Sequence, residues 1–168
     1  MRKAKLLSLA LGSALLFTAT VATAQTPTPP PPAYGLPITL DQAKKVMAGA
    51  EAEAKKNNWP VAIAIVDSAG KLAAFSKMDN TQHGSVDIAI GKATTANNLR
   101  RPTKALQDGI AQGGVNLRIL GQPGITPLEG GVPIIVDGKI VGAIGVSGVL
   151  SSQDAEVAMA GAAAAAAK

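Results

Sequence analysis

The sequence predicts an α+β domain in which an antiparallel β-sheet of two hairpins has helices packed on both faces. Asp137-Gly138 separates two apolar runs, and this dipeptide favours a type I′ hairpin turn because it tolerates positive φ at both positions. Ser68 to Lys71 separate the runs VAIAIVD and LAAFSKM in the same way. Strands of both hairpins carry large side chains on one face and small ones on the other, which indicates a sheet covered on both sides.

The strand after Asp137-Gly138 shows this asymmetry most clearly. Its successive side chains point to opposite faces of the sheet. One face carries Ile140, Gly142, Ile144 and Val146, and the other carries Val141, Ala143, Gly145 and Ser147. No Lys-Ser or Lys-Thr follows these glycines, so they indicate close packing against a helix instead of a phosphate-binding loop.

Three helices are predicted before the second hairpin, and the first two begin at recognisable capping residues. Thr39 and Gln42 form a capping box that begins a helix ending at Asn57-Asn58. Ser85 is the expected N-cap of a helix that continues to about Leu99.

A third helix follows the Pro102 that ends the second. Thr103 is the expected N-cap of this short helix, which continues through Ile110. Val115 to Leu120 is too short to assign from its pattern, and it is either a fifth strand or a turn.

The last helix is predicted to begin at a cap formed by Ser151 or Ser152 and to continue through the alanine-rich end. Asp154 and Glu156 lie in its first turn, where carboxylates complement the helix dipole.

The N-terminal residues 1–24 are predicted to be a secretory signal peptide. Arg2, Lys3 and Lys5 precede an apolar run from Leu6 to Phe17, and Ala22-Thr23-Ala24 is an A-x-A cleavage site. The apolar run is short for a membrane anchor. We therefore expect a periplasmic or secreted protein with no stable membrane insertion after cleavage.

The mature chain then divides into a linker and a domain. Residues 25–37 form a proline-rich tract that favours extended polyproline II and is interpreted as a tether. Residues 38–168 are the predicted folded domain.

Composition excludes several classes of function. Removing the signal leaves 13 basic and 11 acidic residues, a net charge of +2 that does not favour nucleic-acid binding. The chain has no cysteine, so it has no disulfide, thiolate metal site or thiol nucleophile. A ligand must therefore be held noncovalently or by nitrogen and oxygen donors.

Several motifs together resemble one known family. These are D-S-A-G-K-L from Asp67, S-x-D-I-A-x-G-K-A-x-T-A from Ser85, R-R-P-T from Arg100, and G-G-V-P-I followed by D-G-K-I-V-G-A-I-G-V-S-G. They are similar to the GlcG/HbpS family of haem-binding and haem-degrading proteins. The resemblance implies a profilin-like layering of sheet and helices, haem and iron as ligands, a homo-oligomer described as an octamer, and a sensor kinase as partner.

His83 is the one histidine of the chain, in the loop N-T-Q-H-G. Imidazole is the commonest protein ligand of haem iron, which makes His83 the candidate axial and metal ligand. The alternative is a solvated loop residue.

Thr103 occupies the threonine position of the family's R-P-T motif, which the resemblance places at the haem site. Its alternative role is the helix N-cap described above. Glu129, Gly130 and Gly131 precede the second hairpin, where the glycines form either a backbone anion site or a tight turn.

Lys92, Arg100, Arg101 and Lys104 form the basic cluster of the mature chain. Haem propionates or a small dicarboxylate would bind such a cluster by charge-assisted hydrogen bonds. A solvated surface is the alternative.

Three functions remain open at this point. The first is an exported haem-binding protein that buffers, senses or degrades haem or iron. The second is a small-molecule enzyme or corrinoid-binding domain that acts on an organic acid, and the third is a ligand-free oligomeric partner of a sensor system. The sequence shows no catalytic triad, so binding is favoured over catalysis.

Overall fold

The computed structural model describes residues 29–166, which form four α-helices, one 3₁₀ helix and four strands. The elements are α1 (Leu40–Lys56), β1 (Ala62–Asp67), β2 (Leu72–Lys77), α2 (Ser85–Leu99), α3 (Lys104–Gln112), the 3₁₀ helix (Gly114–Gly121), β3 (Gly131–Val136), β4 (Lys139–Ser147) and α4 (Ser151–Ala164). The proposed signal segment lies outside the described residues. Between residues 29 and 166, none of the helices has both the length and the apolar character needed to cross a bilayer.

The strands form one antiparallel sheet in the order β2-β1-β4-β3, which confirms the two predicted hairpins. Asp137 and Gly138 have φ values of 50° and 73°, as a type I′ turn requires. The alternative of a fifth strand at Val115 to Leu120 is wrong, because this segment belongs to the 3₁₀ helix. Gly113 and Gly114 both adopt positive φ immediately before it, which turns the chain away from an extended path.

Two separate apolar layers lie on the two faces of the sheet. The face with the large side chains of β1 and β4, such as Ile63 and Ile144, packs against α1 and α4. The face with small side chains packs against the alanines of α2. A Cβ placed on Gly145 would meet the backbone of Ala89 and Ala93, so this glycine lets α2 approach β4 closely. The predicted asymmetry of the sheet is confirmed.

The predicted helix caps are only partly correct. Thr39 and Gln42 form the expected capping box, with reciprocal hydrogen bonds of 3.0 and 3.2 Å. Ser85 is the first residue of α2 and not its cap, and its buried hydroxyl pairs with that of Ser147 at 3.2 Å. Leu150 occupies the cap position of α4 in place of a serine.

The end of the proline-rich tract packs against the domain. Ile140 N–H donates to the Ala33 carbonyl at 2.9 Å, and Gly35 N–H donates to the Ile140 carbonyl at 2.8 Å. These bonds place residues 33–35 beside the start of β4, where β1 has ended. The tract is therefore anchored to the folded domain at its C-terminal end.

Candidate functional site

Thr103 and Gly131, which the sequence analysis singled out separately, are bonded to each other. The Thr103 hydroxyl accepts a hydrogen bond from Gly131 N–H at 2.9 Å, and Thr103 N–H donates to the Gly131 carbonyl at 3.0 Å. Thr103 occupies the N-cap position of α3, but its side chain makes no capping hydrogen bond, so the predicted capping role is wrong. The hydroxyl instead connects α3 to the start of β3.

Gly130 and Gly131 are buried in tight packing. A Cβ on Gly130 would lie 2.8 Å from the Lys92 ammonium, and one on Gly131 would lie 2.7 Å from the Thr103 methyl group. Gly130 has a φ of 120°, which side chains rarely adopt. The arrangement explains why both residues are glycine, and it leaves no space between them and Lys92 for a ligand.

Lys92 is buried, with 1% of its surface exposed. Its ammonium donates to Asp154 Oδ2 at 2.8 Å and to the Val146 carbonyl at 2.9 Å. Burial lowers the pKa of Lys92 and raises the pKa of Asp154, since both charged forms are removed from water. The grouping of Lys92 with an exposed basic cluster is wrong, because Lys92 lies in the interior and connects α2 to α4.

Lys104 and Glu129 have local partners on α3. Lys104 pairs with Asp108 at 2.8 Å, and this hydrogen bond raises the pKa of the lysine. Glu129 N–H donates to the Gln107 side-chain oxygen at 2.9 Å. Both residues are therefore engaged in contacts of the protein itself.

Arg101 lies in a surface cleft between the end of α2, helix α3 and the 3₁₀ helix. The cleft has a volume of about 320 Å³. Its lining residues are Leu99, Arg101, Ala105, Leu106, Gly109, Asn116, Arg118 and Ile119. We call it the arginine cleft, because the guanidinium groups of Arg101 and Arg118 border it next to several apolar side chains.

Neither Arg101 nor Arg118 makes an ion pair within residues 29–166. The Arg101 Nε atom donates to the Leu99 carbonyl at 3.2 Å, which leaves its terminal nitrogens for other acceptors. Planar guanidinium groups bind carboxylates with two parallel hydrogen bonds. The sequence analysis missed Arg118, because it lies in the segment that has no clear helix or strand pattern.

Arg100 lines a second hollow that adjoins the arginine cleft. It ends α2 with a positive φ of 52°, and its guanidinium lies 5.7 Å from the centre of the Tyr34 ring. The hollow has a volume of about 560 Å³, and it is lined by Pro29, Pro30, Pro31, Arg100, Arg101 and Ala105. The two hollows share Arg101 and Ala105, so they form adjoining parts of one surface.

His83 does not join this surface. It is exposed in the loop before α2, whereas Arg100 and Arg101 follow the end of that helix. A helix of 15 residues is about 22 Å long, so one chain cannot bring His83 and these arginines onto the same small ligand. Within residues 29–166, no group of three or more His, Cys, Asp or Glu residues is placed to hold a metal ion.

The fold and the cleft together define a three-layer α+β domain with an arginine-lined surface cleft. The sequence model for the haem-degrading, HbpS-like proteins matches residues 38–163. The chain belongs to this HbpS-like family.

Individual relatives agree with this assignment. Protein GlcG of Escherichia coli K12 is 43% identical over 110 residues, which are 66% of this chain and 81% of GlcG. The crystal structure of a Streptomyces reticuli HbpS double mutant is 31% identical, with a TM-score of 0.67 over 90% of this chain and 97% of that one. A crystal structure described as a PduOC:heme complex is 26% identical, with a TM-score of 0.70 over 77% of this chain and 95% of that one.

Proposed function

We propose that the protein is an exported haem-binding protein that holds the tetrapyrrole at the arginine cleft. The observation that carries the proposal is the pair of guanidinium groups, Arg101 and Arg118, beside the apolar side chains of Leu106 and Ile119. Haem has surfaces that complement both features, because its ring is apolar and its two propionates are negatively charged. Carboxylates would bind the arginines, and the edge of the ring would contact the apolar wall.

The lining residues fit the organic part of haem better than its iron. None of the cleft-lining residues is a histidine, cysteine, methionine or tyrosine, the usual axial ligands of haem iron. Asn116 is the one uncharged polar side chain in the lining, and an amide is a weak ligand. We therefore assign recognition to the propionates and the ring, and we do not assign an axial ligand in the cleft.

Two comparisons support haem as the ligand. The family is described as haem-degrading, and a related structure is described as a heme complex.

The cleft lining contains no side chain that transfers protons near neutral pH, such as histidine or a carboxylate. This absence supports binding, in the buffering or sensing of haem, over turnover by the cleft itself.

Export and assembly are further parts of the proposal. Export is supported by the signal pattern of residues 1–24. A homo-oligomer, described as an octamer, and a sensor kinase partner are supported by the family resemblance. Light scattering of the purified chain tests the assembly, and co-purification with a sensor kinase tests the partner.

An organic acid without a tetrapyrrole is the second candidate ligand. The same two guanidinium groups favour it, since a dicarboxylate presents two carboxylates without a large ring. Thermal shifts measured with hemin, corrinoids and a panel of organic acids distinguish these ligands.

The direct test of the haem proposal is a titration of cleft variants with hemin, followed by absorbance in the Soret region. Arg101→Ala and Arg118→Ala should each weaken binding about tenfold or more, because each removes a charge-assisted hydrogen bond worth about 1.5–3 kcal/mol. Lys44→Ala is the matched control, since it removes a positive charge from the exposed side of α1.

His83→Ala completes this set of variants. Because His83 lies at the far end of α2 from the cleft, its removal should leave the affinity and the Soret position unchanged. Equal binding by the two arginine variants and the Lys44→Ala control would reject the cleft as the site. A shifted Soret band in His83→Ala would move the ligand to the His83 loop.

A further inference from the structure

We infer that residues 29–34, here called the proline strap, form one wall of the ligand site and contact whatever ligand the arginine cleft binds. This inference rests on the proposed function and adds a segment to it. The sequence pattern alone indicates a spacer, as is usual for proline-rich tracts. The structure instead places the prolines of the strap opposite Arg100, Arg101 and Ala105, around a hollow of about 560 Å³.

The strap is fixed at its C-terminal end by four contacts. The Tyr34 hydroxyl donates to the carbonyls of Asn97 and Asn98 at 2.8 and 3.3 Å, where α2 ends. The Arg100 guanidinium lies over the Tyr34 ring. The backbone bond from Ile140 N–H to the Ala33 carbonyl, described above, completes the anchor.

The composition of the strap makes it suitable as a wall. Pro29 to Pro32 are four consecutive prolines, whose φ angles are fixed by their rings. Such a segment favours the stiff polyproline II conformation and spans about 12 Å. It loses little conformational entropy when a ligand contacts it, and its rings offer an apolar surface of the kind that planar aromatic ligands contact.

The position of the strap assigns it a role in the same site as the cleft. Arg101 and Ala105 line both the arginine cleft and the hollow under the strap. A ligand whose carboxylate pairs with Arg101 would therefore have the strap on one side and α3 on the other. The class of ligand that uses both is a flat, largely apolar molecule with carboxylates on one edge.

The strap precedes the residues that the sequence model of the family matches. The family match begins at residue 38, beyond Tyr34 and Gly35. We therefore expect the strap to change the affinity and selectivity of the domain that this sequence model matches. Relatives that lack such a segment would have a more open cleft.

The test uses the chain from Gln25 onward and compares three variants. In the first, Pro29→Gly, Pro30→Gly and Pro31→Gly are combined, which keeps the length of the strap but removes its rings and stiffness. In the second, Tyr34→Phe removes the hydroxyl that bonds to the end of α2. Pro37→Gly is the control, because it lies in the same tract but outside the hollow.

Two measurements are made on each variant. Hemin titration should show about a tenfold loss of affinity for the triple variant, a smaller loss for Tyr34→Phe and none for Pro37→Gly. Amide NMR spectra without ligand should show shifted resonances of Arg101 and Ala105 in the triple variant, since the strap lies opposite them around the same hollow before a ligand binds.

The outcomes separate this inference from the haem proposal. Hemin binding that is strong and equal in all variants overturns the strap as a wall and leaves the haem proposal intact. If the unaltered chain does not bind hemin, the haem proposal fails. The NMR spectra then decide the strap on their own, and unmoved Arg101 and Ala105 resonances overturn it.

Discussion

At the scale of single residues, the interior pair of Lys92 and Asp154 is the feature that the sequence analysis interpreted least well. Its charge alone groups Lys92 with the arginines, although it lies on the same helical stripe as Ala89, Ala93 and Ala96. Helical spacing places residue 92 on this apolar face, and that spacing is the signal in the sequence that indicates its burial. The identity of its partner could not be predicted, because Asp154 lies 62 residues away and on the opposite side of the sheet.

Lys92→Met should destabilise the protein by about 3–5 kcal/mol, since it leaves the Asp154 carboxylate buried without its partner. The loss should appear in urea unfolding followed by circular dichroism. Combining it with Asp154→Asn should recover part of the loss, because the second change removes the uncompensated charge while an amide oxygen remains for Val149 N–H. Additive losses in the double variant would show that the two side chains do not act as a pair.

At the scale of secondary structure elements, turn residues predicted the structure better than helix-capping residues did. The two hairpins follow from short-range turn residues, and Asp137-Gly138 adopts the predicted positive φ angles. The hydroxyls of Ser85 and Thr103 were expected to cap helices, but tertiary partners, Ser147 and Gly131, take them instead. The sequence cannot distinguish a capping role from a tertiary one, because the same side-chain hydroxyl can form either hydrogen bond.

The contact between α2 and β4 gives the test at this scale. Gly145→Ala should destabilise the protein by about 1–3 kcal/mol, because the new methyl group overlaps the backbone of Ala89 and Ala93 and the helix must move. Thermal unfolding provides the measurement. Gly84→Ala is the control, since no heavy atom lies within 4 Å of a Cβ at that position and its φ is −61°. Equal midpoints for the two variants would contradict close packing of α2 on β4.

At the scale of the whole molecule, α2 separates the predicted site residues into three groups. His83 precedes the helix, Lys92 is buried within it, and Arg100 and Arg101 follow its end. The family and the fold were predictable because their motifs extend along the chain, and the family match to residues 38–163 confirms them. The arginine cleft was only half predictable, because Arg118 reaches it from the 3₁₀ helix.

The molecule also combines a rigid sheet with a less buried surface unit. Helix α3 and the 3₁₀ helix contain no fully buried residue, whereas β1 and β4 are almost completely buried. The arginine cleft lies on this outer unit, next to the proline strap. Elements with few buried contacts open at lower free energy than the core, so ligand binding is expected to protect α3 amides most in hydrogen exchange.

The most direct measurement compares the affinities of the chain for hemin, protoporphyrin IX and protoporphyrin IX dimethyl ester. Recognition by Arg101 and Arg118 predicts that metal-free protoporphyrin IX binds within a few-fold of hemin. The dimethyl ester, which has no carboxylates, should bind more weakly than the free acid by a factor of about ten or more. Tight binding of hemin with no binding of protoporphyrin IX, or equal binding of the ester and the free acid, would contradict recognition through the arginine cleft.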